Sequence, residues 1–162
     1  MLEWTQARIA EGLEWRLTAG SSGLRAVEFS LDGPLSGQRC DANPLLMEAV
    51  RQLRAYFAGE LREFHLPLEI VGTDFRKRVW EQVRSIPYGE TRSYSQIASA
   101  LAAPKAVRAV GAANGANPLP IVIPCHRVIG AGGELVGYGG GLPLKKRLLE
   151  LEGWQPPGAA AR

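Results

Sequence analysis

The chain has 162 residues, 46% of them hydrophobic and 22% charged, with a net charge of +3. Those values exclude wholesale disorder and leave room for one domain or two small ones. No apolar run nears the ~20 residues a bilayer requires, the opening MLEWTQARIA lacks the apolar core of a signal peptide, and the two cysteines, Cys40 and Cys125, form no CxxC pair. The expectation is a cytoplasmic protein with free thiols, no disulfide framework and no membrane partner.

The charge is unevenly placed. Residues 1–71 hold seven Arg and no Lys against ten Asp and Glu, a balance of −3. Residues 72–152 hold eleven Lys and Arg against six acids, a balance of +5. A basic half joined to an acidic half points to a polyanion as the partner of the second half. Against this stands a chance fluctuation over small counts.

In chain order, Leu13–Leu17 and Leu24–Leu31 alternate apolar and polar residues as half-buried strands do, with Gly20-Ser21-Ser22-Gly23 and Asp32-Gly33-Pro34 as turns. Asn43 and Pro44 read as the N-cap and first position of a helix that places Leu46, Val50, Leu53 and Phe57 on one face and stops at Gly59. His65–Val71 is a short strand-like stretch containing Pro67. Nothing in this half suggests chemistry, and its expected role is scaffolding.

The second half reads as helices and loops. Thr73 caps a helix with Phe75, Val79, Trp80 and Val83 inward, ended by Ile86-Pro87-Tyr88-Gly89. Ser93–Ala102 forms a second helix, and a third starts at Pro104, with Val107 and Val110 inward and a slim face of alanines. Two short helices joined by Ala102-Ala103 suggest a helix-turn-helix; the alternative is an ordinary αα-hairpin. Residues 114–141, with seven glycines between Gly130 and Gly141, favour special backbone geometry over helix. Pro143 opens a last helix with Leu144, Leu148 and Leu151 on one face and Gly153 as its stop, and residues 154–162 read as a disordered tail.

Cys125 and His126 follow a buried-looking apolar run and a proline. A lone cysteine there is usually an inert core residue, but an adjacent histidine is the base that turns a thiol into a nucleophilic thiolate. Neighbouring side chains on a regular strand point apart, so a Cys–His pair needs a bent backbone or a bridging water. In the last helix, Glu150 and Glu152 sit at the C-terminal end and Lys145, Lys146 and Arg147 at the start, each against the helix dipole. This is either a solvated face or a functional one, in which a glutamate orients His126 and the lysines face a phosphate or an acidic partner.

Pro124-Cys125-His126-Arg127-Val128 resembles the active-site signature of the O6-alkylguanine-DNA alkyltransferases, the methylated-DNA–protein-cysteine methyltransferases. Thr73–Trp80, Ile86–Thr91, Ser93-Tyr94, Arg108–Gly111, Asn117-Pro118 and Tyr138–Gly141 continue the resemblance in the family's order. It covers residues 72–153. The resemblance implies a small N-terminal α/β domain of ribonuclease H-like type (residues 1–71), then a mainly helical domain with a helix-turn-helix (residues 72–153).

The resemblance further implies direct reversal of DNA damage. The alkyl group passes from O6 of guanine, or more weakly O4 of thymine, to Cys125 in one self-inactivating turnover without a cofactor. His126 matches the base acting through a water, Glu152 the residue orienting it, Asn117 the holder of the active-site turn, and Tyr94 a donor to N3 of the leaving guanine. Arg108 matches the residue that fills the stack after base flipping, with Ser95, Ala109 and Asn114 beside it as DNA contacts in the minor groove. Val128, Tyr138 and Gly139 would line the pocket, and Gly139 lacks the side-chain hydroxyl some members carry. With only Cys40 and His65 in the N-terminal domain, no metal is expected. The partner is double-stranded DNA bearing O6-alkylguanine, bound by a monomer, with clustering on DNA left open.

Three rivals remain. A lesion sensor of the same family would lack the cysteine. A helix-turn-helix regulator would need further domains. A Cys–His hydrolase would need another histidine in the second half.

Overall fold

In the N-terminal sheet the inner position is held by a strand whose sequence hides it. The computed structural model describes residues 1–156, and β1 runs over Glu3–Ala10 with Thr5 and Ile9 buried among polar neighbours. It is paired on both sides, but only those two of its eight residues are buried, so it lacks the apolar alternation that announces a strand. The sheet order is β3-β2-β1-β4, with β2 at Leu13–Ala19, β3 at Leu24–Glu28 and β4 at Gln38–Arg39. β1–β2 and β2–β3 are antiparallel and β1–β4 is parallel.

β2 is buried on both faces. Trp15 packs against Phe29 and Phe57 with ring centroids 4.7 and 5.7 Å away. Arg16 is buried too, donating to the Leu31 and Gly33 carbonyls and lying over the Trp4 ring. Helix α1, Pro44–Phe57, starts where Asn43 accepts from the Leu45 and Leu46 amides, and it buries Leu46, Leu53 and Tyr56. Two expectations are corrected here. β3 stops at Glu28 rather than Leu31. The stretch His65–Val71 contributes only a bridge between Leu24 and Leu68, held by the Leu24 N–H to Pro67 carbonyl and Glu69 N–H to Leu24 carbonyl bonds. Pro67 has no N–H to extend the ladder.

The chain divides into two units, Met1–Val71 and a second beginning at Gly72. In the second, Thr73 caps α2 (Asp74–Arg84), which buries Val79, Trp80 and Val83. The Trp80 indole N–H donates to the Ala113 carbonyl at 2.7 Å, tying α2 to α4. Ser93 caps α3 (Tyr94–Ala100) and forms a capping box with Gln96.

The helix expected from Pro104 begins three residues later: α4 is Val107–Gly115. Ala102 takes φ +56°, and the Ala103 N–H reaches back to the Ala98 carbonyl, so the chain turns before it can re-enter a helix. The delay rotates Val107 outward, against expectation, while Val110 stays buried.

A two-stranded parallel sheet then pairs β5 (Arg92–Ser93) with β6 (Val128–Ile129), Arg92 opposite Val128 and Ser93 opposite Ile129. Helix α5, Leu142–Leu151, buries Leu144, Leu148 and Leu149, while Leu151 is only half-buried. Trp154 is still tied back, its N–H donating to the Leu149 carbonyl. Residues 157–162 of the expected disordered tail lie outside the described residues. No described helix is long and apolar enough to cross a membrane.

Candidate active site

The bend that a Cys–His pair requires is present. Cys125–Arg127 form one turn of 3₁₀ helix after Pro124, and all three side chains are buried. The approach to this turn is contorted. Ile121 takes φ +74°, a left-handed conformation that is strained for a β-branched residue. Asn117 holds the contortion from both ends: its Oδ1 accepts from the Leu119 N–H at 2.9 Å and its Nδ2 donates to the Ile123 carbonyl at 2.7 Å. The Cys125 N–H bonds the Ile123 carbonyl at 2.7 Å, which closes the turn.

His126 does not reach toward its neighbour in sequence. Its Nε2 meets Glu152 Oε2 at 2.7 Å, with both side chains fully buried. Glu152 forms the C-cap of α5, so its carboxylate lies beyond the last turn and its place at the negative end of the helix is compensated from outside. Arg127 donates Nε to Oε1 at 2.8 Å and Nη2 to Oε2 at 3.0 Å, and the Gly89 N–H donates to Oε1 at 3.2 Å. Burial pushes the Glu152 carboxyl up, but the bonds from His126 and Arg127 outweigh it and bring it down to about 2. Burial holds the His126 imidazole below its usual range, Glu152 pulls it back up, and Arg127 and Lys145 push it further down. His126 Nδ1 is buried and bonds no described residue. In the neutral ring, the carboxylate acceptor at Nε2 places the hydrogen on that nitrogen and leaves the lone pair on Nδ1.

The Cys125 thiol is pushed up by burial, against opposing pulls from an Asn117 hydrogen bond, the Lys145 charge, its own backbone and Tyr138. Tyr138 is itself held well above its usual value by burial and by Cys125. The site thus stores a neutral thiol beside a neutral imidazole.

Two expectations about single residues are corrected. Lys145 does not face a phosphate or an acidic partner: it is fully buried, and its Nζ donates to the carbonyls of Val128 (2.6 Å), Val136 (3.1 Å) and Gly137 (3.3 Å). Lys146 is the exposed one, 3.7 Å from Glu150. Asn114 is not on the outer face of α4: it is buried, and its Nδ2 donates to the Cys125 carbonyl at 3.3 Å. A helix turns a residue seven positions after Val107 back to nearly the same side, but Asn114 lies in the last turn, where the Cys125 turn covers it.

Tyr94, at the start of α3, donates its hydroxyl to the Val136 carbonyl at 3.1 Å. Val128 is fully buried beneath, and Tyr138 is half-buried. Gly139 is exposed, and a Cβ built on it would meet no atom within 4 Å. Ser95, Arg108 and Ala109 are exposed on α3 and α4, with Val107 beside them. Sequence reasoning missed Arg127, Gly89 and the tether made by Lys145. The available signal for Arg127 was a charged residue inside an otherwise apolar run.

A buried thiol backed by a histidine–glutamate pair defines a cysteine-centred protein, and the two short helices α3 and α4 leave Ser95, Arg108 and Ala109 exposed. Residues 74–154 match the family model described as 6-O-methylguanine DNA methyltransferase, DNA binding domain, and residues 17–70 match its ribonuclease-like domain. A methylated-DNA–protein-cysteine methyltransferase of Mycobacterium bovis is 62% identical over 109 residues, which is 67% of this chain and 66% of that protein, just under two thirds of its length. The crystal structure of Mycobacterium tuberculosis O6-methylguanine methyltransferase matches with TM-score 0.83 and 43% identity, covering 99% of each chain. That of Mycobacterium tuberculosis OGT in complex with DNA matches with TM-score 0.80 and 47% identity, covering 93% of this chain and 91% of that one. The chain belongs to the 6-O-methylguanine DNA methyltransferase family.

Proposed function

We propose that this chain repairs DNA by moving an alkyl group from O6 of guanine to Cys125, once per molecule. The observation that carries this reading is the buried Cys125 turn backed by the His126–Glu152 pair, inside the stretch matching the DNA-binding domain of the family. The solved relative with DNA bound supports DNA as the partner.

The chemistry needs a soft nucleophile and a sink for one proton. The Cys125 proton passes through a water to Nδ1 of His126, whose other nitrogen is already held by Glu152. The Sγ–C bond forms as the C–O6 bond breaks. The departing guanine develops a negative charge, which a hydrogen bond from the Tyr94 hydroxyl to N3 stabilises, and the proton that left Cys125 for His126 balances that charge and finally neutralises the base. Tyr94 exchanges its bond to the Val136 carbonyl for one to the base. Asn117 keeps the strained turn in shape, and Val128, Tyr138 and Gly139 line the pocket, where the open space at Gly139 leaves its N–H able to donate to O6.

O6 is inaccessible inside a duplex, so the nucleotide must be flipped out. Arg108 on the exposed face of α4 fills the vacated place, and Ser95 and Ala109 allow close approach through the minor groove by a monomer. Asn114 acts from inside, bracing the Cys125 carbonyl.

The test is a duplex carrying one labelled O6-methylguanine. Label moves to protein in a 1:1 burst and is lost in Cys125→Ser. Continuing turnover, or labelling of Cys125→Ser, overturns the reading.

A further inference from the structure

Arg127 is a fully formed cation placed where the reaction just proposed has no direct use for one. It is buried, and it spends every face of its guanidinium. Nε and Nη2 grip both oxygens of Glu152, Nη1 donates to the Ile86 carbonyl at 2.7 Å, and the plane lies 5.7 Å from the Tyr88 ring centre. Glu152 Oε2 is shared, accepting from His126 Nε2 at 2.7 Å and from Arg127 at 3.0 Å.

Sharing changes what the carboxylate can do. A lone buried carboxylate stabilises an imidazolium beside it and makes the histidine strongly basic. A carboxylate already neutralised by a bidentate guanidinium offers far less. The remaining groups around the imidazole do not compensate. Lys145 on α5 adds a second positive charge, Cys125 in the same turn and Tyr138 from the glycine-rich loop are held in their neutral forms by burial, and the 86–89 turn brings the Tyr88 ring up to the Arg127 guanidinium.

We propose that Arg127 is a positioning residue that keeps His126 neutral by sharing Glu152, so that Nδ1 retains its lone pair for the Cys125 proton, while its bond to Ile86 locks the 86–89 turn to the cysteine turn. The proposal rests on the reading of His126 as the proton acceptor. It also explains the geometry of the 86–89 turn, since Gly89 donates to the same carboxylate. That turn leads into β5 and the first residue of α3, Tyr94, so one guanidinium sets the nucleophile's turn and the turn preceding the leaving-group donor in common register.

The chain contains two histidines, His65 and His126, so NMR titration of histidine-labelled protein resolves each, with His65 as an internal control. In the unmodified protein the His126 midpoint lies below the ordinary histidine value. Arg127→Gln removes the charge and keeps a donor, and it raises the His126 midpoint by a unit or more, a tenfold change in its proton affinity. Arg127→Lys keeps the charge and leaves the midpoint near that of the unmodified protein. The alkyl-transfer pH profile moves with the midpoint, which a purely structural role would not produce. A His126 midpoint at or above the ordinary histidine value of about 6.5 in the unmodified protein overturns the proposal whether or not the variants fold. So does a folded Arg127→Gln with an unmoved midpoint. Failure of label transfer alone would sink the repair reading and leave the titration result standing.

Discussion

Lys145 and Tyr94 donate to one carbonyl, that of Val136, each at 3.1 Å. One donor is a buried ammonium on α5 and the other a phenol at the head of α3. The glycine-rich loop between β6 and α5 is therefore pinned at a single peptide from two elements. Lys145 also holds the Val128 and Gly137 carbonyls, so the loop is tied to the strand that follows the cysteine turn.

Replacing Lys145 with Met removes that tether. Loop 130–141 is expected to become the earliest site of cleavage in limited proteolysis, and equal cleavage rates in both proteins would refute the tether. The pH dependence gives a second check. Burial lowers Lys145 to about 8, against the opposing pull of Cys125, from an ordinary 10.5. Between those values the unfolded chain binds the extra proton, so this group's contribution to stability rises with pH. Because Cys125 and Lys145 act on each other and the thiol contributes with the opposite sign, the slopes are compared in a Cys125→Ser background, where the difference isolates Lys145.

Acid should destabilise the protein through Glu152. Its folded value of about 2 lies below the ordinary 4.5, so its contribution is complete above 4.5 and is lost as pH falls toward 2. Glu152→Gln should flatten that acid limb. It should also cost about 3–5 kcal/mol at neutral pH, because Arg127 is left buried without its counter-ion. Denaturant melts from pH 2 to 7 measure both effects, and an unchanged acid limb in the variant would contradict the assignment.

Arg108 is exposed and makes no hydrogen bond or ion pair among the described residues, so Arg108→Ala should leave stability within about 0.5 kcal/mol. Transfer from duplex DNA should fall at least tenfold, while reaction with free O6-benzylguanine, which needs no flipping, stays level. Equal losses on both substrates would remove Arg108 from the flipping step.

Methylation of Cys125 should weaken the fold. The residue is 6% exposed and hemmed in by Asn117 and Tyr138, and an extra methyl in a packed site costs about 1–3 kcal/mol. A melting temperature several degrees lower after stoichiometric methylation is expected, and an unshifted one would mean that the pocket has slack.

Much of this protein is legible in one dimension. Caps and punctuation are local chemistry, so Asn43-Pro44, Thr73 and Gly153 mark helix ends that the structure keeps. Cys125 and His126 can be picked out because thiol and imidazole belong together chemically, a charge at the wrong helix end asks for a partner, and the family resemblance chooses Glu152 over Glu150. Other features have no local signature. β1 escapes because only Thr5 and Ile9 of its eight residues are buried, which leaves no apolar alternation to read. The start of α4 escapes because a left-handed alanine, not the proline, sets the turn. Lys145 and Arg127 look like surface charges until the chain brings carbonyls and a carboxylate around them. The sequence by itself determined which reactive groups the protein owns. Tertiary structure alone decided which of its charges are buried, because the desolvation of an ammonium or a guanidinium is offset only by partners distant in sequence.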